Sequence, residues 1–471
     1  MIGKLAVRSL TAHPIRSAVL AAGFGFGVGV MAILLGVAEI VLEQALSPQL
    51  VGGGDVVVRL GPDVPAKMVL SGTLQADALR PRVEVAAPFH TTDVFLLHGD
   101  HTTRVFARGG IPSLERALGD RETGGIASWQ DSAADRAWTN ATPDAVLRQI
   151  DRFHPIPDVP RWSSSWAEWL YFNGRAGNTR FYLTFLVGPR GSDGTRASGV
   201  RLQLERNGHM ETYAAGASLT DEQIAHAPDL AIGANSVTLD RMTYRIHLDL
   251  QHAGGVPRSG PGAHVVGDLS LQATPGRLAP PIEIHGVGGW LTGYVVPVMS
   301  GHLDGHVDVD GEPVSLAGGT GYHDHNWGFW EGVSWQWGQA QQGNLSLIYG
   351  RVFPPREAAD PDQFPGFVGA LGPDGPLGYA TDVRISETNG EREEPKQINV
   401  RARGPGIDLT MRFDVGSAAV THMAQGPLAS GVDFLQLRGE YTVTGRAGGR
   451  DLDFTAPGAA ETFRGQRQAA P

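Results

Sequence analysis

Residues 318–338, GGTGYHDHNWGFWEGVSWQWG, concentrate glycine, histidine, aspartate and tryptophan more densely than any other part of the chain. After the glycines at 318, 319 and 321, the short alternation of polar and aromatic residues is that of a β-strand entered from a tight turn. Successive side chains of a strand point to opposite faces, so Tyr322, Asp324 and Asn326 share one face while His323, His325 and Trp327 share the other. Trp335 and Trp337 place two indoles on one face of the next strand. A carboxyl and a phenol beside an apolar aromatic wall make an acid site. Asp324 is its candidate acid, with Tyr322, His323 and His325 as further candidate catalytic residues. The competing reading is a buried Asp324 bonded to neighbouring hydroxyl or amide groups, anchoring a corner of the fold.

His323 and His325, two apart on a strand, point the same way and could begin a metal site. A third ligand would have to come from His285, His302 or His306, and nothing in the spacing demands it. The expectation is therefore no metal, with the histidines in a hydrogen-bonding role. No Gly-x-Ser-x-Gly elbow, phosphate loop or dinucleotide fingerprint accompanies the motif, so no cofactor is expected either.

The elements that must position these residues read as β-strands. With 64 Gly, 31 Pro and frequent short apolar alternations, the 471-residue chain favours a mainly β body and more than one domain. Strand signals recur at 181–187, 200–204, 237–239, 244–250, 265–271 and 294–298. A second group, at 345–349, 398–402, 409–413 and 441–444, follows the motif. Turns of Gly, Pro, Asn and Asp separate them, the pattern of antiparallel barrels or sandwiches. Exposed loops are expected at 354–365 and 388–396. Upstream, alternating runs at 55–60, 83–86 and 94–97 suggest a small β-rich spacer, and 119–140 a polar linker. Thr142 before Pro143 and Asp144 signals a helix start with Thr142 as N-cap.

The motif Gly321-Tyr322-His323-Asp324-His325-Asn326-Trp327-Gly328, followed by Trp335-Gln336-Trp337, resembles the family of carotenoid hydratases (hydroxyneurosporene synthases) and AttH-like lipocalin proteins. Glu168-Trp169-Leu170-Tyr171-Phe172-Asn173-Gly174 is similar to that family's opening strand, and a further similar block begins at Asp229-Leu230-Ala231-Ile232-Gly233. Gly439-Glu440-Tyr441-Thr442-Val443-Thr444-Gly445, with Glu461 in the last strand, is similar to its closing block. The resemblance covers residues 151–465 and implies two lipocalin-like antiparallel barrels, divided at 151–345 and 346–465. It also implies a chemistry. A carboxyl facing an apolar barrel lumen has a raised pKa and stays protonated, so Asp324 could protonate an alkene. The faces of Trp335 and Trp337 would stabilise the cation, and water would capture it. Trp290, Tyr294 and Trp327 join those indoles as expected ligand-binding residues. One departure stands out: the stretch 289–298 offers Trp290 and Tyr294 but not the histidine expected of the hydratases.

The amino-terminal 50 residues are of another kind. Lys4, Arg8 and Arg16 precede a run at 17–41 whose one charge is Glu39, which suits a membrane anchor with a cytoplasmic basic flank and the body on the periplasmic or outer side of the inner membrane. Residues 8–17 resemble the first helix of FtsX/MacB-type permeases, which implies a transporter permease as a possible partner. A net charge of -11 argues against nucleic acid as a partner. The chain has no cysteine, which excludes disulfides and thiolate chemistry. Two functions remain: an anchored hydratase (hydro-lyase) of an isoprenoid or similarly apolar substrate, or a non-catalytic carrier of a lipid or other apolar ligand that serves a transporter.

Overall fold

The computed structural model describes residues 79–98, 101–119, 128–132, 142–253, 263–373, 375–390, 394–404, 406–423 and 432–465, with isolated positions at 135 and 136 and before 79. About half the positions of the expected anchor at 17–41 lie outside them, and among the described residues no helix is long and apolar enough to cross a membrane. The chain divides into two compact units, 1–59 with 85–139, and 60–84 with 140–471. In the first, β1 (Phe89–His98) and β2 (His101–Gly110) form an antiparallel hairpin, followed by helix α1 (Pro112–Ala117). The run at 94–97 lies within β1. The run at 83–86, set between Pro81 and Pro88, is not a strand, and the described part of 55–60 is not one either. Proline has no N–H for a ladder, which explains the break.

From residue 140 onward the second unit begins with helix α2 (Pro143–Ile150), which has Pro143 in its first turn and Thr142 at the N-cap position. The Thr142 side chain makes no capping bond; the fixed φ of proline is enough to start the helix. The chain then builds β3 (Trp166–Ala176), β4 (Thr179–Arg190), β5 (Arg196–Arg206), β6 (His209–Leu219), helix α3 (Asp221–Ile224), β7 (Leu230–Ile232), β8 (Asn235–Asp240) and β9 (Thr243–His252). β10 (His264–Gln272), β11 (Ala279–His285), β12 (Leu291–Val309), β13 (Glu312–Ser315) and β14 (Gly319–Phe329) follow. Eight of these pair in the ring β10-β12-β14-β3-β4-β5-β6-β9, which β9 closes by pairing back to β10. Alternation builds the interior: along β9, Tyr244, Ile246, Leu248 and Leu250 are buried while Arg245 and Gln251 are exposed. Closure leaves no unpaired edge among the eight.

A second antiparallel sheet has nine strands: β15 (Ser334–Gln342), β16 (Leu345–Phe353), β17 (Phe367–Gly372), β18 (Gly375–Ala380), β19 (Asp382–Asn389), β20 (Pro395–Gly404), β21 (Ile407–Met423), β22 (Val432–Ala447) and β23 (Arg450–Gly465). Their order is β18-β17-β16-β15-β23-β22-β21-β20-β19, and β18 comes round to approach β20 and β21, so the sheet is nearly closed. Its interior holds Leu347, Tyr349, Leu409, Met411, Phe413, Leu437 and Tyr441. The protein is thus mainly β, with two barrel-like sheets in one unit. All ten strand signals of this unit fall inside strands, and 354–365 is a loop between β16 and β17. Of the loop expected at 388–396, positions 388–389 and 395–396 belong to β19 and β20, and 391–393 lie outside the described residues. The change of sheet comes at 330–333, earlier than the 345/346 division read from the sequence. The turn signal at Gly343 (φ 55°) closes the hairpin of β15 and β16 instead.

The two barrels are joined through their walls. Asn173 donates to Gln339 (3.3 Å), Gln341 to the carbonyl of Met299 (2.9 Å), and Arg277 to the carbonyl of Asn344 (2.7 Å), while Arg438 pairs with Glu205. The nearly buried Arg438–Glu205 pair belongs to the kind whose disruption costs most, since a lone charge would remain.

Candidate functional site

β14 is an interior strand of the first barrel, with β12 on one side and β3 on the other. Both flanks are fixed by ladders, so the two faces of its motif separate as the alternation predicts. The structure corrects where those faces point. The one expected to look into a lumen, Tyr322 and Asp324, looks instead into the seam between the barrels. His323 and His325 occupy the interior of the first barrel.

The seam encloses a cavity of about 520 Å³, within the usual range of about 300–1,000 Å³ for small-molecule sites. From the first barrel it is lined by Trp169, Tyr171 and Tyr182, together with Tyr294, Asp324 and Asn326. From the second come Trp335 and Trp337 of β15, Phe367 of β17, Phe434 and Gln436 of β22, and Glu461 of β23. The ladder sets the spacing: Asp324 is opposite Tyr171, and Asn326 opposite Trp169, so the acid sits among aromatic rings. On the facing wall Trp337 is paired with Glu461, and Glu461 in turn with Gln436.

Two carboxyls therefore share one apolar chamber. Asp324 is 4% exposed and Glu461 8%. Burial, and then the charge of Glu461, push the Asp324 carboxyl well above the usual carboxylate range; bonds from Tyr322 and Asn326, the latter at 2.7 Å, only partly offset them. Burial likewise pushes Glu461 up to about 7, against donors that include Trp335 Nε1 at 3.2 Å. The phenol of Tyr322 lies 2.6 Å from that of Tyr294, which accepts from Trp337 Nε1 at 3.1 Å. Burial raises both phenols well above their ordinary value, so they remain neutral donors. In the same walls the Tyr171 hydroxyl faces the Glu461 carboxyl, and the Gln436 carbonyl oxygen has no hydrogen-bond partner. Buried polar atoms are nearly always satisfied, so the Gln436 oxygen marks a place where a bound molecule can supply the missing contact.

His323 and His325 belong to a different network. His323 stacks on Phe172 (4.1 Å between centroids), and its Nε2 lies 2.9 Å from Asp151 Oδ2, which also accepts from Tyr244. His325 lies between two carboxylates, with Nδ1 3.1 Å from Asp151 Oδ1 and Nε2 2.9 Å from Glu168 Oε1. Burial opposes a charge on His325, but these two contacts outweigh it and hold the imidazole up at about 9. Burial likewise opposes the Asp151 carboxylate, and the two histidines outweigh it, holding Asp151 down at about 2. His154, just after α2, completes the group: its backbone N–H and Nδ1 both contact Glu168.

Among the described residues one set of donors could surround a metal ion, His154, Glu168 and His325, with ligand atoms within 4.8 Å of one another. These atoms already satisfy one another at 2.7–2.9 Å. The third ligands considered from the sequence are not brought in: His285 is exposed beside Glu283, and His302 and His306 are exposed along β12. Trp290 and Trp327, expected at the ligand site, are also elsewhere. Trp290 is buried with Nε1 donating to the carbonyl of Phe329 (3.0 Å), and Trp327 donates to Glu283 and stacks on His154. Of the expected residues, Asp324, Tyr294, Trp335 and Trp337 line the cavity, and Tyr322 stands behind it through its bond to Tyr294. In the sequence Glu461 stands out only through the resemblance, although it is the second carboxyl of the chamber. Asp151 carried no signal at all, and Glu168 appeared only as part of a strand motif.

No family model matches the chain, and no curated protein does. Among solved structures, similar ones include a candidate AttH from Nitrosomonas europaea, with 14% identity over 63% of this chain and 92% of that one and a TM-score of 0.43. CghA is similar at 13% identity over 70% of this chain and 96% of that one, TM-score 0.42. A structure of CghA with Sch210972 is similar at 12% identity over 69% and 95%, TM-score 0.40.

Proposed function

We propose that the cavity between the barrels binds an apolar unsaturated molecule and that Asp324, held neutral, donates a proton to one of its double bonds. The observation that carries this reading is a buried carboxyl, kept protonated by its surroundings, in the wall of an aromatic chamber that a ligand can enter. The resemblance of the HDHNWG motif to carotenoid hydratases supports hydration as the reaction.

The residues divide the work as follows. The Asp324 O–H bond breaks as its proton forms a C–H bond at one alkene carbon, leaving a cation at the other. The π faces of Trp335 and Trp337 stabilise that cation, since ring quadrupoles attract positive charge. Water adds to the cation, and the surplus proton passes to the Glu461 carboxylate, which is available because its pKa lies near neutrality. Return of that proton to Asp324 restores the site, and alkene plus water has become alcohol. Two carboxyls with pKa values pushed apart by their environments fit an acid and a base acting together.

The test is conversion of a long-chain polyene by the purified protein, followed by mass spectrometry for a product heavier by one water. Product formed by the wild type and lost in Asp324→Asn, with ligand affinity retained, supports the reading. Tight binding of the polyene with no product from the wild type would leave an apolar-ligand carrier in its place.

A further inference from the structure

Two glutamine amides in the cavity wall have bonding capacity that the protein does not use. Gln203 of β5, 6% exposed, makes no side-chain hydrogen bond among the described residues. Gln436 of β22, 5% exposed, reaches Glu461 Oε1 with its Nε2 at 3.5 Å, and its Oε1 has no partner. The seam sets these two side chains against each other. Alternation puts Arg201, Gln203 and Glu205 on one face of β5, and Phe434, Gln436 and Arg438 on one face of β22. Glu205 pairs with Arg438. Arg201 donates to the hydroxyl of Thr421 at 2.9 Å, and Thr421 stands opposite Phe434 in the β21–β22 ladder. Contacts two residues to either side thus hold Gln203 across from Gln436, and both line the cavity.

We infer that the ligand of this cavity carries a hydroxyl group, which accepts from the Gln203 amide and donates to Gln436 Oε1 while its unsaturated chain lies along the Trp337 wall. The inference rests on the apolar-ligand reading above and narrows it. A wholly apolar molecule filling the chamber would exclude water from both amides, and buried polar groups left unbonded are costly. The inventory of donors and acceptors selects the head group. Gln436 Oε1 needs a donor and the Gln203 N–H groups need an acceptor; a hydroxyl is both. A carboxylate has no proton for Gln436 and would stand beside Glu461, and an ammonium has no lone pair for Gln203. Its position suits the chemistry. Gln436, Glu461 and Trp337 are successive partners across β22, β23 and β15, so the hydroxyl site lies two strand spacings, roughly 10 Å, from Trp337. The Trp337 ring in turn lies 5.4 Å from that of Tyr322 and 6.2 Å from that of Tyr171, which is paired with Asp324. A double bond one such length along the chain from the hydroxyl therefore comes to the wall that holds the acid.

The test compares three probes with the same chain, linoleyl alcohol, its methyl ether and linoleate, by calorimetric titration of the wild type and of a Gln203→Met/Gln436→Met double variant. Methionine keeps the length of glutamine and removes its amide, and thermal unfolding checks that the variant is folded. If the double variant does not fold, Gln436→Met alone, which removes only the free acceptor, carries the same comparison. The wild type is expected to bind the alcohol about tenfold tighter than the ether, which has no proton to donate, and tighter than linoleate. In the variant the alcohol and the ether should bind within about threefold of each other, with the ether held at least as tightly as by the wild type. Equal affinity of the wild type for alcohol and ether, tighter binding of linoleate, or an unchanged preference in the folded variant overturns the hydroxyl head and leaves the apolar cavity standing. Equal loss of alcohol and ether in the variant also overturns it, since the amides would then serve only the seam. Binding of none of the three probes by the wild type overturns both readings together.

Discussion

In the proposed reaction Asp324 works through the proton it keeps. The cost of a second negative charge beside Glu461 in an apolar chamber holds the carboxyl neutral, so the group is an acid at a pH where an exposed aspartate is only a weak base. Asp324→Asn keeps the shape and the bond from Asn326 but removes the transferable proton. Turnover should fall by about 10²- to 10⁴-fold, the usual contribution of a general acid, with little change in ligand affinity. A loss of roughly 1–3 kcal/mol in unfolding free energy with unchanged turnover per folded molecule would instead mark Asp324 as a structural anchor. The pH dependence follows from the pair. Below about 7 Glu461 is protonated and cannot take the proton from water. The rate should therefore rise through about pH 7 and fall at higher pH as Asp324 ionises. The two steps belong to the pair rather than to either residue. A kcat/KM profile of Glu461→Gln should lack the rising limb, and its persistence there would remove Glu461 from the mechanism.

At the scale of elements, β14 serves two purposes from its two faces. One carries the acid, and the other fastens the segment after α2 into the first barrel through His323, His325, Asp151 and Glu168, all fully buried. His325 has a folded pKa of about 9, above its unfolded value of 6.5. Its charge therefore contributes stability that is fully present below 6.5 and is lost as pH rises through about 9, on the order of a few kcal/mol. His325→Gln should cost roughly 3–5 kcal/mol at neutral pH, because two buried carboxylates lose their counter-charge. The variant's unfolding midpoint should also decline less steeply than the wild type's between pH 6.5 and 9. Parallel declines in chemical-denaturation series would show that His325 is not charged in the folded barrel. The site's departure from the hydratase pattern is also an element-level matter. β12 places Tyr294 opposite Asn326 and within 2.6 Å of Tyr322, so the stretch 289–298, which holds no histidine, contributes a phenol to this wall.

For the whole molecule, the cavity exists only because the two barrels stand against each other, and neither contains it alone. The remaining question of scale is where that body resides. From the basic residues before 17–41 we propose that the body lies outside the inner membrane, with the amino terminus in the cytoplasm. Protease added to spheroplasts should digest the body without lysis. Protection until lysis would reverse the orientation.

What the sequence determined by itself was local. Period-two alternation fixed the mainly β class, placed every strand signal of the second unit inside a strand, and divided Tyr322 and Asp324 from His323 and His325, because the face a side chain takes on a strand depends only on its neighbours in the chain. What a face meets is decided by pairing between distant strands. β23 beside β15 brings Glu461 to Trp335 across 126 positions, and α2 against the first barrel brings Asp151 to His323 across 172. The tertiary structure alone therefore chose the seam over the lumen, joined the second carboxyl to the first, and sent Trp290 and Trp327 to the packing of the first barrel, since no periodicity within a strand records which wall will stand opposite it.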